Sequence, residues 1–507
     1  MRQTLLSISL FVALTQAGWS QTAPDLSWIR HLNSSEMGMI TSIDTLSNGN
    51  YALAGYKINS DPNNKDLLIA VTDKHSQKIW SKVFAGEGND FLRSVKEDAD
   101  GYLVAVGYTW SSTNQPFGTS KGNGDVVVMK LDAEDGSVIW TKRFGGPSTE
   151  YAYDVHIASD GGYLIAGSTG SASGDITSNA GLYDAWILKL DTDGNLEWQK
   201  THGSIGYEYA YKIQETSDGG YVIFGESRTN AKMPDGVGAS YDMWVLKVDG
   251  AGNEDFNLTL GGSLDDNLKY GTQTSDGGYI IVGYSKSSNG DFTTNSGEED
   301  GWVIKLKSNG TVDWKKAFAS TIVDKCHVVK EDTDNGFILL STEGYKSTLN
   351  SYLKLTKLNS SGTEVWKKTF SAVGTFYACE VNDGIFTADG GYLAVGGSAA
   401  TQLKTFYSEY TATLVKLGGT DNPAIASLWP SKATNKTMNI YPNPAATEFK
   451  INIDQPMEIR IVNILGETVL MEQAALGEST IDVSSLAPGT YYVLSGNNSS
   501  GQLVVVK

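Results

Sequence analysis

Two loops of the chain carry the same series of oxygen-bearing side chains. Asp, Thr, Asn, Gly and a second Asp occur at matching offsets over residues 175–184 and again over 291–300. Carboxylate, hydroxyl and amide oxygens at alternate positions, with a glycine that lets the chain turn, suit calcium. Asx-turns that order a Gly- and Ser-rich loop explain the same residues, and both interpretations stay open. The predicted calcium ligands are Asp175, Asn179, Asp184, Asp291, Asn295 and Asp300.

One tryptophan is a candidate for contact with a ligand. Nine of the twelve tryptophans recur at fixed positions of an internal repeat, which is typical of packing between repeated units. Trp110 lies outside these positions, in the loop YTWSSTNQPFG at 108–118. We therefore predict that Trp110 is an exposed ligand-binding residue.

The sequence offers little for known catalytic chemistry. It contains no Ser-His-Asp order, GxSxG, HExxH or phosphate-binding glycine loop. Its two cysteines, Cys326 and Cys379, exclude a cysteine-rich metal site and leave one disulfide as an open alternative. A net charge of -19 argues against a nucleic-acid partner. Whether the protein is an enzyme stays open, and a binding role is better supported.

An internal repeat predicts the scaffold that holds these residues. The segment SDGGY and a following apolar strand occur at 159–168, 217–227 and 275–285, and variants bring the copies to seven, spaced 51 to 61 residues apart. Each copy adds a strand such as DAWILKL (184–190), an outer strand that usually holds a Trp, and a strand before the SDGGY segment. Four short antiparallel strands repeated seven times predict an all-β fold, a seven-bladed β-propeller over residues 21–417.

The ends of the repeat region predict how the ring closes. The last copy ends at Leu417 without a Trp strand, whereas an extra Trp strand, LSWIRHL, stands at 26–32. We expect this N-terminal strand to become the outermost strand of the seventh blade, which would pair otherwise open sheet edges.

A column of acidic residues recurs in the first six repeats, and the seventh has Phe376 near that position. Most of its members stand 12 or 13 residues before the repeated aromatic residue, and the first stands 15 before it. We expect them at the start of the innermost strands, near one mouth of the central channel. They could accept backbone N–H bonds in the inter-blade turns or attract cations. The column contains Glu36, Asp90, Glu150, Glu208, Asp266 and Asp324.

Both ends of the chain indicate export. Arg2, the apolar run 5–14 and small residues up to Ser20 predict a signal peptide at 1–20 and no transmembrane segment. Residues 418–437 lack the repeat and predict a linker, and 438–507 predict a separate small β-sandwich.

The C-terminal motifs indicate an export route by their resemblance to a family. The sequences YPNP (441–444), ILGE (464–467), LAPGTYY (486–492) and a terminal lysine resemble the type A sorting domain of the type IX secretion system. This resemblance implies contact with that secretion machinery and delivery to the medium or the outer-membrane surface. An immunoglobulin-like stalk is the alternative. The sorting residues are Tyr441, Pro442, Asn443, Pro444, Gly466, Gly489, Tyr491 and Lys507.

The propeller region resembles the tandem repeats of other cargo of that system. Its LD..G...W turns also resemble quinoprotein repeats and the Asp-box turn of sialidases, although no further motif of either enzyme is present. We therefore expect a secreted or surface-displayed binding or adhesion protein for an extracellular polysaccharide or protein. The alternative is an extracellular glycan hydrolase, which would need unique polar residues at one channel mouth. Calcium is the one cofactor that the sequence suggests.

Overall fold

A computed structural model provides the fold of most of the chain. The predicted signal peptide and nearly all of the predicted linker lie outside the described residues. The structure describes residues 26–31, 38–58, 64–112, 117–228, 240–296, 298–320, 323–344, 351–370, 379–387, 390–399, 410–418, 441, 445–453, 457–462, 468–474, 477–495 and 500–505.

The chain begins with a strand, β1 (Leu26–His31), and continues with six sheets of four consecutive antiparallel strands each. These strands are β2 (Met39–Thr45), β3 (Tyr51–Ile58), β4 (Lys65–Thr72), β5 (Lys78–Phe84), β6 (Asp90–Glu97), β7 (Tyr102–Thr109), β8 (Asp125–Asp132), β9 (Val138–Phe144), β10 (Glu150–Ile157), β11 (Tyr163–Thr169), β12 (Asp184–Leu190), β13 (Leu196–His202), β14 (Glu208–Glu215), β15 (Tyr221–Ser227), β16 (Asp242–Val248), β17 (Glu254–Leu260), β18 (Asp266–Gln273), β19 (Tyr279–Ser285), β20 (Asp300–Leu306), β21 (Val312–Phe318), β22 (Val323–Glu331), β23 (Phe337–Gly344), β24 (Ser351–Leu358) and β25 (Glu364–Phe370).

The seventh sheet combines both ends of the repeat region. It contains β26 (Cys379–Phe386), β27 (Tyr392–Ala399) and β28 (Tyr410–Leu417), with β1 paired antiparallel to β28. The first strand of each sheet contacts the first strand of the next, and β26 contacts β2. These seven inner strands surround a central channel, so the all-β, seven-bladed propeller predicted from the repeat is confirmed.

The repeated Asp and Lys residues form the turns at one end of the ring. In the SDGGY turn of blade three, Asp160 accepts a hydrogen bond of 2.9 Å from the Gly162 N–H. The same carboxylate forms an ion pair of 2.8 Å with the buried Lys189 of β12. Gly161 has a φ of 84°, which favours glycine. We call this end of the ring, opposite the start of the inner strands, the turn end.

The outer-strand aromatic residues pack between blades. The ring of Trp140 in blade two lies so close to Gly194, in a turn of blade three, that a Cβ there would approach it to 2.8 Å. Trp80 and Gly136 repeat this contact one blade earlier. The spacing between the turn glycine and the aromatic residue therefore reflects packing of each blade on its neighbour.

The C-terminal residues form a separate apolar core. A two-stranded sheet and a four-stranded sheet both contribute to it, through Phe449, Ile459, Ile481 and Val493 among other buried residues. No helix in the described part of the chain has the length and apolarity needed to cross a membrane. The strands are β29 (Glu448–Ile453), β30 (Met457–Val462), β31 (Thr468–Ala474), β32 (Gly477–Asp482), β33 (Gly489–Ser495) and β34 (Ser500–Val505).

Candidate functional site

Each inner strand has a β-bulge at the same position, and the bulge residues vary around the ring, with tyrosine in both blade three and blade four. Bulges re-aim side chains and are common beside functional sites. Six of the seven bulge residues line a central cavity of about 340 Å³, together with Ser42, Lys212, Leu268 and Asp383. The bulge residues are Thr41, Arg93, Tyr153, Tyr211, Lys269, His327 and Asn382.

Aromatic side chains extend from this cavity across the end of the ring where the inner strands begin, which we call the mouth end. They form one continuous series through blades one to four, with neighbouring ring centroids 4.8–6.4 Å apart. We call this series the aromatic belt. It contains Tyr56, Phe91, Tyr108, Trp110, Tyr151, Tyr153, Tyr183, Tyr207, Tyr209, Tyr211 and Tyr241.

Trp110 is the most exposed tryptophan described and belongs to this belt. Its side chain is 38% exposed, and its ring lies 5.9 Å from Tyr108 and 6.4 Å from Tyr151. Loops on the same end of the ring expose three aliphatic side chains by more than half: Leu182, Ile205 and Leu264. The mouth end therefore offers exposed apolar side chains and partly exposed aromatic rings, which pack on the buried Tyr56, Phe91 and Tyr108.

Arg93 is a cation of the cavity without an acidic partner among the described residues. Its guanidinium donates a hydrogen bond of 2.6 Å to the Tyr108 hydroxyl and lies over the rings of Phe91 and Tyr108. Its buried Nε has no hydrogen-bond partner in the described part of the chain. The position therefore leaves donor capacity for an anionic group that enters the cavity.

Burial raises the pKa of several tyrosines in the belt. It raises the pKa of Tyr151 to about 12, with Tyr183 and Tyr108 adding to the shift. Burial also raises the pKa values of Tyr153 and Tyr211 well above the usual range. The Tyr211 hydroxyl donates a hydrogen bond of 3.1 Å to Glu226. Burial raises the pKa of Glu226 to about 7.

The carboxylates nearest the cavity tie adjacent blades together. Asp383 accepts hydrogen bonds from the Ser42 hydroxyl and the Ile43 N–H, both at 3.2 Å. Asp154 accepts bonds from Ser94 at 2.8 Å and from the Ile213 N–H at 3.2 Å. These oxygens stabilise the ring and are already engaged.

The acidic column lies buried at the mouth end. Four of its members accept a bond from the backbone N–H four residues earlier, in the turn between blades, at 2.6–3.0 Å. These are Glu150, Glu208, Asp266 and Asp324. Asp90 instead accepts bonds from Thr109 and Ser111, and burial raises its pKa to about 6. Glu36 lies outside the described residues.

The first aspartates of the two predicted calcium loops reach a neighbouring inter-blade turn. Asp175 accepts a bond of 2.9 Å from Gly145 N–H and pairs with Lys121, and Asp291 accepts one of 3.2 Å from Gly261 N–H and pairs with Lys315. The last aspartates bind N–H groups of their own loops, Asp184 that of Ala180 and Asp300 that of Ser296.

The asparagines of these loops hold backbone groups. Asn179 accepts a bond of 3.0 Å from Gly181 N–H, and Asn295 donates one of 2.8 Å to the Lys286 carbonyl. Among the described residues, no group of three or more His, Cys, Asp and Glu side chains could hold a metal ion. Calcium in these loops stays a prediction.

The thiol of Cys326 is free and buried, and burial raises its pKa above the usual range. The side chain of Cys379 lies outside the described part of the structure.

In the C-terminal unit, the backbone of Tyr441 pairs with Lys450, and the buried Tyr491 donates a hydrogen bond of 2.8 Å to the Ala487 carbonyl. Gly489 begins β33. The other predicted sorting residues, Pro442, Asn443, Pro444, Gly466 and Lys507, lie outside the described residues.

Comparison with known families decides what the C-terminal unit is. Residues 439–507 match the family described as secretion system C-terminal sorting domain. The C-terminal unit is a secretion sorting domain. The protein is accordingly a propeller exported by type IX secretion, to the cell surface or the surrounding medium. The sorting domain implies interaction with the type IX machinery.

Comparison of the whole chain yields only distant likeness. No curated protein matches it in sequence. Quinohemoprotein alcohol dehydrogenase from Comamonas testosteroni is 9% identical, with a TM-score of 0.41 over 83% of this chain and 79% of that one. Acylaminoacyl peptidase from Pyrococcus horikoshii is 10% identical, with a TM-score of 0.42 over 82% of this chain and 58% of that one. The propeller domain of the Trilobed protease from Pyrococcus furiosus is 10% identical, with a TM-score of 0.38 over 73% of this chain and 96% of that one. These similarities do not assign an activity.

Proposed function

We propose that the exported propeller binds an extracellular polysaccharide at its mouth end. The aromatic belt is the observation that carries this proposal. Aromatic rings present flat apolar faces on which sugar rings stack, and tyrosine hydroxyls at their edges can bind sugar hydroxyls. The exposed face of Trp110 would be the first contact of the polymer with the protein.

The asymmetry of the belt supports binding along one side of the channel. At the position of Tyr209 in blade four, blade five has Asn267, which pairs with Tyr284 in the neighbouring strand. At the position of the bulge residue Tyr211, blade five has Lys269. A polymer that lay over blades two to four would therefore meet Trp110 and the partly exposed tyrosines, with charged and polar groups beyond them.

Arg93 supports a preference for acidic sugars. A guanidinium can bind a carboxylate or sulfate through two parallel N–H bonds. Arg93 lines the cavity, and its Nε finds no partner among the described residues. We propose that Arg93 receives the acidic substituent of one sugar unit, while neighbouring units stack on the belt.

Binding fits the cavity better than the alternative of glycan hydrolysis. Hydrolysis usually needs two carboxyl groups that flank the scissile bond. Asp383 is the carboxylate that lines the described cavity, and it already accepts bonds from Ser42, Ile43 and Gly384. Glu226 stands behind Tyr211 and is buried.

The test is to measure binding of the purified protein to immobilised neutral and acidic polysaccharides. We expect retention on at least one polymer, with at least tenfold weaker binding by Trp110→Ala. Ile139→Ala is the matched control, because Ile139 is also exposed but lies on outer strand β9 of the same blade. Equal affinities of wild type, Trp110→Ala and Ile139→Ala would contradict a site at the belt.

A second variant tests the acidic preference separately. Arg93→Gln keeps a polar side chain but removes the charge, so it should weaken binding to acidic polymers and leave neutral polymers unaffected. An equal loss on both classes would show that Arg93 only supports the belt. Failure of the wild type to bind any polysaccharide would refute the proposed function.

A further inference from the structure

Pairs of carboxylates recur at the junctions between blades, and all of them are buried except Asp242, which is partly exposed. One member stands at the start of a third strand, and the other at the start of the next inner strand. At two of these junctions a turn glycine lies beside both carboxylates. At the third, Gly261 lies beside one carboxylate, and the N–H of the neighbouring Gly262 binds the other. The junctions of interest join blades two and three, three and four, and four and five. Their pairs are Asp125 with Glu150, Asp184 with Glu208, and Asp242 with Asp266.

The junction between blades three and four contains an unpartnered carboxylate oxygen. Asp184 is 2% exposed, and its Oδ1 has no hydrogen-bond partner among the described residues. A Cβ on Gly203 would stand 2.5 Å from this oxygen and 2.6 Å from Oε2 of Glu208. The two carboxylates therefore approach each other from different blades, and both residues are buried. A buried charge of this kind normally has a counter-charge.

The junction between blades four and five has the same arrangement with a third acid. Asp242 Oδ1 is buried without a partner in the described part of the chain. Burial raises the pKa of Asp242 to about 7, and Asp266 and Asp291 add to the shift. Asp291 reaches the junction by accepting a bond from Gly261 N–H.

The junction between blades two and three shows how the chain itself can neutralise such a pair. Arg143 is buried there, and its Nε donates a hydrogen bond of 2.6 Å to Asp125. Arg143 lies opposite the residue two positions after Asp125. The residues at the equivalent positions of the next two blades are Thr201 and Thr259. These two junctions keep the paired acids but lack the arginine.

We propose that the junctions at Asp184 with Glu208 and at Asp242 with Asp266 each bind a hard divalent cation, with calcium the best fit. Each pair supplies two carboxylates, and backbone carbonyls, hydroxyls and water would complete the shell. Calcium accepts 6–8 such oxygens in flexible geometry, whereas magnesium requires near-ideal octahedral geometry. A calcium ion with Ca–O distances of about 2.3–2.6 Å can bridge oxygens up to about 5 Å apart.

This location differs from the loop sites predicted from the sequence. In the loop interpretation, Asp175 would be a ligand together with Asp184. In the structure, Asp175 instead reaches Gly145 and Lys121, whereas Asp184 faces Glu208. The ion would therefore connect two blades and not the ends of one loop.

The experiment is metal analysis of the purified protein after dialysis against calcium, combined with thermal melts in calcium and in chelator. We expect two bound calcium ions per chain and a lower melting temperature in chelator. Asp184→Asn and Asp242→Asn should each lose one ion. Asp175→Asn is the control and should keep both.

Arginine substitutions provide the sharper test. Thr201→Arg or Thr259→Arg would place a fixed cation as Arg143 does, so each should remove one ion. The double variant should melt at the same temperature with and without calcium. Conversely, Arg143→Thr should raise the count to three.

Three results would overturn the proposal. The first is that wild type retains no calcium and melts identically in calcium and chelator. The second is loss of an ion in Asp175→Asn but not in Asp184→Asn, which would place the ion in the loop. The third is stabilisation by acid alone, without any calcium effect, which would mean that each pair shares a proton.

Discussion

The two ends of the propeller ring use acidic residues in opposite ways. At the turn end, Asp276 stands in an exposed turn; although burial alone would raise its pKa, hydrogen bonds from Thr274 and Lys305 lower it to about 2. At the mouth end, burial raises the pKa of Asp90 to about 6. At the turn end this carboxylate is therefore paired with a cation, whereas at the mouth end burial disfavours the charged form of Asp90.

The same contrast appears in how constant the residues are from blade to blade. At the turn end, Lys189, Lys247 and Lys305 each pair with the aspartate of their own SDGGY turn. At the mouth end, the equivalent bulge positions hold Arg93, Tyr211 and His327. Repetition at one end stabilises every blade alike, and variation at the other provides a single asymmetric surface. We infer that stability depends mainly on the turn end and on ring closure, and binding on the mouth end.

The largest expected effect comes from breaking ring closure. Deletion of residues 21–33 removes β1 and leaves β28 as an open edge. We expect a loss of about 4 kcal/mol or more, because a whole strand of pairing and packing disappears. The melting temperature of the deletion variant against wild type measures it. An unchanged melting temperature would show that β1 does not stabilise the ring.

A smaller effect should come from the packing of the turn end. Gly194→Ala places a Cβ at 2.8 Å from Trp140 and forces φ near 77°, so we expect about 2–4 kcal/mol of destabilisation. Gly219→Ala is the control, since its φ is 80° but a Cβ there meets nothing within 4 Å. It should cost about 1–2 kcal/mol from backbone strain alone. Denaturant unfolding compares them, and equal losses would mean that the Trp140 contact adds nothing.

The smallest effect should be the dependence of stability on pH at the mouth end. The pKa of Asp242 is about 7 in the folded protein and near 3.8 in the unfolded chain, so the folded state binds the carboxyl proton of Asp242 more tightly. The resulting stabilisation is complete below pH 3.8 and disappears as pH rises through 7.

In chelator, we therefore expect wild type to be more stable at pH 5 than at pH 8 by about 1–2 kcal/mol, with a smaller difference in Asp242→Asn. Asp276 at the turn end does not interfere, because its depressed pKa contributes only below this range. Denaturant unfolding at both pH values tests this. A difference of the same size in both proteins would assign the effect to other groups.

The sequence predicts the fold well because the sequence pattern of one blade recurs seven times. Turn glycines, the paired Asp and Lys and the outer tryptophans all recur at fixed spacings, and the structure explains each by a contact. The aromatic residues of the belt are visible in segments such as YAYD (151–154), but their approach to Trp110 depends on ring geometry.

Other features of the mouth end leave almost no trace in the sequence. A β-bulge adds one residue to a strand without changing its composition, so the position of Arg93 in the cavity follows only from strand register. Arg143 and Asp125 are 18 residues apart and meet across two strands. The clue that was available is that Arg143 departs from the Thr found at the same place in the next two blades.

Hydrogen–deuterium exchange with and without a bound acidic polysaccharide tests the central claim most directly. The account predicts protection of mouth-end segments, namely residues 108–112, 181–184 and 204–209, with no change in the turn-end segments 159–163 and 217–221. Protection of the turn-end segments, with the mouth end unchanged, would contradict it.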